Sequence, residues 1–124
     1  MTDYSKCKDE QQFKMMYIRK KLKPAYPEVF CIETEETVKG FPDVMCLTAN
    51  GRAYFCEFKF SSPSGKIKFQ PSQPAFYRLH KGMNIWVIAY NQKTKEVVEF
   101  PVWDMGSVKG AQRFYMNEKA EVQL

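Results

Sequence analysis

The sequence predicts an α/β domain in which a mixed central sheet of about four to five strands is flanked by helices, in the order αβββαβ. Three observations predict it. Asp9 to Lys23 carries Phe13, Met16 and Tyr17 at helical spacing. Gly40 to Lys59 reads as two short strands joined at Asn50-Gly51, the dipeptide that most favours a tight hairpin. A second helical segment, Ser72 to His80, is followed by the continuous apolar run Asn84 to Tyr90, which has the character of a buried strand.

Asp9 or Ser5 can cap the first helix. Glu10 stands three residues before Phe13 and shares its inward stripe. It reads either as a solvated first-turn carboxylate favoured by the helix dipole or as a functional acid that requires a partner. On the outer side Lys14, Arg19, Lys20, Lys21 and Lys23 form a basic cluster, suited equally to solvent and to a phosphate backbone. Pro24 and Pro27 end the helix and start an extended segment. Glu28 to Glu35 reads as a strand that becomes acidic at Glu33, Glu35 and Glu36.

Gly40-Phe41-Pro42 turns the chain into the hairpin, whose first strand opens at Asp43. On the second strand Tyr54, Cys56, Phe58 and Phe60 face one way, and Phe55, Glu57 and Lys59 the other. Both faces are largely apolar, so the strand is central and covered on both sides. Charges on a covered strand are usually paired or metal-bound. The hairpin brings Asp43 alongside Glu57 and Lys59, which makes either a divalent-metal and phosphate site or an ion-pair cluster within the sheet. Ser61 to Pro71 reads as a loop carrying Lys66 and Lys68. Ser72 is the expected N-cap of the second helix, with Pro74 in its first turn, Gln73 and Tyr77 on one face, and Gly82 closing it. Lys95 to Val102 reads as an edge strand, and Trp103 to about Lys119 as partly helical.

The 124 residues suffice for one domain with a hydrophobic core, and no low-complexity tract or repeat suggests a second. No apolar run reaches membrane-spanning length and the N-terminal stretch is polar, so a cytoplasmic protein is expected. Cys7, Cys31, Cys46 and Cys56 lack C-x-x-C spacing and read as reduced small hydrophobes. A formal charge of +5 favours polyanionic partners such as nucleic acid. His80 is the single histidine, which excludes H-E-x-x-H zinc enzymes and any catalytic pair of histidines. A hydrolytic site must therefore rest on carboxylates, lysine and a metal.

Pro42-Asp43 followed by Glu57-x-Lys59 resembles the signature of the PD-(D/E)XK nuclease superfamily. Glu10 on the preceding helix and Gln73-x-x-x-Tyr77 on the following one extend the resemblance. Gly40-x-Pro42-Asp43 and the run Glu57 to Lys66 look most like the stand-alone VRR-NUC branch, with Holliday-junction resolvases similar in spacing. The resemblance covers roughly residues 10 to 90 and implies a restriction-endonuclease-like core over one domain, 1–124. It implies a metal-dependent DNA endonuclease, acting on branched, flap or junction DNA as a homodimer, in a bacterial host cell if phage-encoded. Its alternatives are a non-catalytic nucleic-acid-binding or assembly protein, or an exonuclease or nicking subunit of a larger complex.

Carried over by residue, Asp43, Glu57 and the Phe58 carbonyl would ligate Mg²⁺ or Mn²⁺. Glu10 would hold the metal directly or through water, with Glu33, Glu35 and Glu36 as alternatives for that role. Lys59 would orient the attacking water or stabilise the transition state. Gln73 would hydrogen-bond behind the ligands or touch substrate, with Tyr77 packing behind it. Lys66, Lys68, Tyr77, Lys14 and Lys21 are the implied nucleic-acid contacts.

Overall fold

The computed structural model describes residues 2–32, 39–102 and 121–124. Along the chain run α1 (Glu10–Tyr17), a π-helical turn (Ile18–Leu22), α2 (Lys23–Ala25), β1 (Glu28–Cys31), β2 (Val44–Leu47) and β3 (Ala53–Phe60). They are followed by β4 (Lys66–Lys68), α3 (Ser72–Leu79), β5 (Ile85–Asn91), β6 (Glu96–Pro101) and β7 (Glu121–Gln123). Five strands form one mixed sheet in the order β1-β2-β3-β5-β6, and β4 pairs with β7 in a separate two-stranded sheet. Among the described strands only β3 and β5 pair in parallel; α3 lies between them in sequence and carries the crossover. Among the described residues no helix is long and apolar enough to cross a membrane.

Strand β3 is the hub, and its alternation divides the core in two. Cys56 and Phe58 pack with Phe13, Tyr17, Ile18, Leu22, Ile88 and Tyr90 beneath α1 and the π turn. On the other face Phe55 joins Val87, Ala89, Ile67, Phe69, Phe76 and Tyr77 beneath α3. Phe13 locks the first layer, meeting Phe58 edge-on at 5.9 Å and Tyr4 at 5.3 Å. Residues 56 to 59 of β3 are all buried, as a strand covered on both faces requires.

Several boundaries differ from the expected ones. The first helical stretch runs past Pro24 to Ala25 instead of stopping before it. The backbone widens first: the Lys23 N–H donates to the Ile18 carbonyl, an i→i−5 bond, and Tyr26 N–H then closes on Leu22 at 2.9 Å. The hairpin connection is also longer than a two-residue turn. Thr48 N–H donates to the Arg52 carbonyl, and Gly51 takes the positive φ of 82° that the turn demands. The expected loop over 61–71 contains β4, where Ile67 and Phe69 are buried while Lys66 and Lys68 point to solvent. Helix α3 has Pro71 as its N-cap and Ser72 inside it, and ends at His80, whose N–H donates to the Phe76 carbonyl, rather than at Gly82. The expected helix over 103–119 and the acidic residues Glu33, Glu35 and Glu36 lie outside the described residues.

Candidate active site

Gly40 to Asp43 is held by packing against α3. Gly40 has φ of 85°, and a Cβ there would stand 2.1 Å from the Ser72 carbonyl oxygen, so only glycine fits. Phe41 packs edge-on to Phe55 at 5.6 Å and to Phe76 at 5.3 Å, and Pro42 is fully buried. Gly40→Ala is therefore expected to cost at least about 1–3 kcal/mol, from left-handed strain plus displacement of α3. Thermal unfolding checks this, and an unchanged midpoint would contradict the close approach.

This clamp delivers Asp43 to the start of β2. Continuing the Val44↔Cys56 register by one residue places Asp43 opposite Glu57. The Phe58 N–H donates to Asp43 Oδ2 at 3.4 Å. On a strand the N–H and C=O of one residue point to the same edge, so the Phe58 carbonyl is directed to that edge too. Phe55 and Ser61 N–H groups donate to Asn84 and Tyr90 on the β5 side, which fixes the even-numbered residues of β3 toward β2.

Glu57 is 3 % exposed, and its Oε1 has no hydrogen-bond partner. Burial holds its carboxyl well above the usual range, and the charge of Asp43 is the next cause; Lys59 opposes the rise, while hydrogen bonding to Asp43 and the charge of Glu10 add to it. Lys59, two residues on, is 7 % exposed. Its Nζ donates to Gln73 Oε1 at 2.8 Å and sits 4.8 Å from the centre of the Phe69 ring. Gln73 Oε1 also accepts from Gln70 N–H at 2.8 Å, so the amide is oriented by α3's own approach segment.

The other expected residues are distributed unevenly. Glu10 is exposed at the start of α1 behind its N-cap, Asp9, whose Oδ1 accepts from Gln12 N–H at 2.8 Å. Its pKa is raised by the surrounding protein and by Asp43, with Lys59 and Lys14 countering, so Glu10 shares the electrostatics of the site. Among the described residues no group of three or more His, Cys, Asp or Glu side chains is disposed to hold a metal. Tyr77, expected both as packing behind Gln73 and as a nucleic-acid contact, is 2 % exposed, which leaves no surface for the contact. It lies in the α3 layer, its pKa pushed up by burial and then by Glu57 and Asp43, and can act only as backing for them. Lys14 neighbours Glu10, whereas Lys21 lines a hollow with Lys95, Glu96 and Glu99 beside β6. Lys66 and Lys68 project from β4, opposite Gln123 and Glu121 of β7.

The donor set suits a hard divalent cation: two abutting carboxylates, one with an orphaned buried oxygen, and a backbone carbonyl directed to the same edge. Sequence reasoning missed the second bond of Gln73 and the stacking of Lys59 on Phe69. The alternation of Ile67 and Phe69 with Lys66 and Lys68 was the available sign that Phe69 turns inward. Comparison of the chain with protein families, with curated proteins and with solved structures gives no match.

Proposed function

We propose that this chain is a metal-dependent deoxyribonuclease of the PD-(D/E)XK type, with a restriction-endonuclease-like core, that hydrolyses phosphodiester bonds in DNA. The observation that carries the reading is the buried Glu57 carboxylate, unsatisfied at Oε1 and facing Asp43, with Lys59 on the same sheet face. Uncompensated carboxylates in such a place are costly, and a cation removes the cost. Asp43, Glu57 and the Phe58 carbonyl would hold Mg²⁺ or Mn²⁺, with Glu10 reaching it through water. A bound divalent ion lowers the pKa of coordinated water and neutralises the scissile phosphate.

The remaining chemistry belongs to the chain. Lys59 supplies a fixed positive charge to the phosphoryl oxygens as negative charge accumulates there. Gln73 keeps that ammonium aimed, and Phe69 shields it from water on one side. Lys14, Lys66 and Lys68 offer exposed or half-exposed charge to the DNA backbone. A homodimer would set two such sites on one branched substrate, in the cytoplasm, that of a bacterial host if the chain is phage-encoded.

The test is a cleavage panel of single-stranded, duplex, flap and four-way-junction DNA with Mg²⁺, Mn²⁺ or EDTA, with Asp43→Ala beside the unaltered protein. Cutting that needs the metal and is lost in Asp43→Ala is the expected result. Internal products mark an endonuclease; products shortened from an end mark an exonuclease. Tight binding with no cutting on any substrate would overturn the catalytic reading in favour of a nucleic-acid-binding protein.

A further inference from the structure

The opposite face of the sheet holds a second feature. Tyr54, Cys56, Trp86, Ile88 and Glu99 lie on the α1 side of β3, β5 and β6, where Trp86 registers with Cys56 and Glu99 with Ile88. Tyr17, Leu22 and Tyr26 roof them over a half-open cavity of about 200 Å³. The π turn lies in this roof, between Tyr17 and the residues Leu22 and Tyr26; such turns recur at functional sites.

Half of the lining residues are aromatic, Tyr17, Tyr26, Tyr54 and Trp86, and Glu99 adds a carboxylate. Tyr26 and Tyr54 rings stand 6.0 Å apart. The Tyr17 hydroxyl donates to Glu99 Oε1, which orients the carboxylate at the exposed rim. Trp86 Nε1 is turned onto Asn84 Oδ1 at 2.9 Å and so does not offer its N–H to the cavity. The Tyr26 pKa is raised, first by burial, and Glu99 is the one acidic residue among those that line the cavity. Among the described residues no lysine or arginine lines it; Lys21 and Lys95 belong to the adjoining hollow beyond Tyr17 and Glu99.

We propose that this cavity is a binding site for a small organic cation, an alkylammonium or quaternary ammonium head group, held by the faces of Tyr26, Tyr54 and Trp86 and by the carboxylate of Glu99. Aromatic faces attract a cation through their quadrupole, and a carboxylate at the rim adds Coulomb attraction. An anion or phosphate would meet Glu99 and no N–H donor. The volume suits one head group rather than a drug-sized ligand, whose pockets begin at roughly 300 Å³. The site stands apart from Asp43 and Glu57, on the other side of β3, and does not depend on nuclease activity.

Calorimetry and the Trp86 indole N–H resonance, followed at constant ionic strength, test the proposal with choline, tetramethylammonium and the neutral choline isostere 3,3-dimethyl-1-butanol. Choline and tetramethylammonium are expected to bind and to shift Trp86, and the neutral isostere to bind about tenfold more weakly or not at all. Glu99→Gln, which keeps the shape and the acceptor for Tyr17, is expected to weaken the cations about tenfold and leave the isostere unchanged. Tyr54→Leu, checked for folding by thermal unfolding, should weaken the cations as well. Equal binding of choline and its isostere, no effect of Glu99→Gln, or no binding of either cation at millimolar concentration would overturn it.

Discussion

Glu57→Gln is expected to make the metal-free protein more stable at neutral pH while abolishing DNA cleavage. Burial and the neighbouring Asp43 charge hold the Glu57 carboxyl well above its ordinary range in the folded chain. Above the ordinary value of 4.5, the unfolded chain has released a proton that the folded chain still binds, or must give up at a cost. Stability therefore falls as pH rises from there, and below it both states are protonated and the effect vanishes. Glu10, also raised, contributes with the same sign. Glutamine keeps the volume, adds an N–H that can meet Asp43, and carries no charge. In EDTA at about pH 7.5 the variant should gain about 1–3 kcal/mol over the unaltered protein, and at about pH 4 nothing. Mg²⁺ or Mn²⁺ should raise the unfolding midpoint of the unaltered protein at neutral pH, and raise that of Glu57→Gln far less. A variant less stable than its parent at neutral pH in EDTA would show that Glu57 is a satisfied structural carboxylate and remove the main support for a cation there.

Period-two alternation made the centre of the fold legible in the sequence. Period two made Glu57 and Lys59 share a face, but the register that sets Asp43 opposite Glu57 was not legible: a two-residue turn at Asn50-Gly51 would set Asp43 opposite Phe58, and the longer connection shifts the pairing by one. The apolar run before Tyr90 announced β5 for the same reason: a strand covered on both faces has no polar side to disguise it. Features that depend on distant partners were not legible. Strand β4 is three residues long and exists because β7, far along the chain, pairs with it. The continuation of the helical stretch through Pro24 is not legible either, because nothing local announces the π turn that precedes it. The Gln73/Tyr77 spacing fixes a shared helix face but not how deeply that face is buried, so it leaves Tyr77 both as packing behind Gln73 and as a nucleic-acid contact, and the burial of Tyr77 fits the first. Gly40 is the opposite case: its role is a backbone approach to Ser72, visible only once α3 is in place.

Lys59→Met is expected to lower cleavage by on the order of a hundredfold or more with little change in fold, because a preorganised charge is lost where phosphoryl charge develops. The methionine side chain can still lie against Phe69, and the hydrogen bond to Gln73 is the main contact removed. Lys59 opposes the raised pKa of both Glu57 and Glu10, so it competes with any cation for the same carboxylates. Its removal should therefore leave the metal-induced rise in unfolding midpoint intact or enlarge it. That combination, stronger metal response with lost turnover, separates Lys59 from the ligands: Asp43→Ala and Glu57→Gln should lose both. Gln73→Leu should act through Lys59, lowering turnover by about tenfold, the scale of one lost hydrogen bond to a charged group, without weakening the metal response. In Gln73→Glu an acceptor for the ammonium is retained and much of that loss should return. If Lys59→Met keeps its turnover, the ammonium is a packing element between Phe69 and Gln73, and the phosphate must be met by a group elsewhere on the surface.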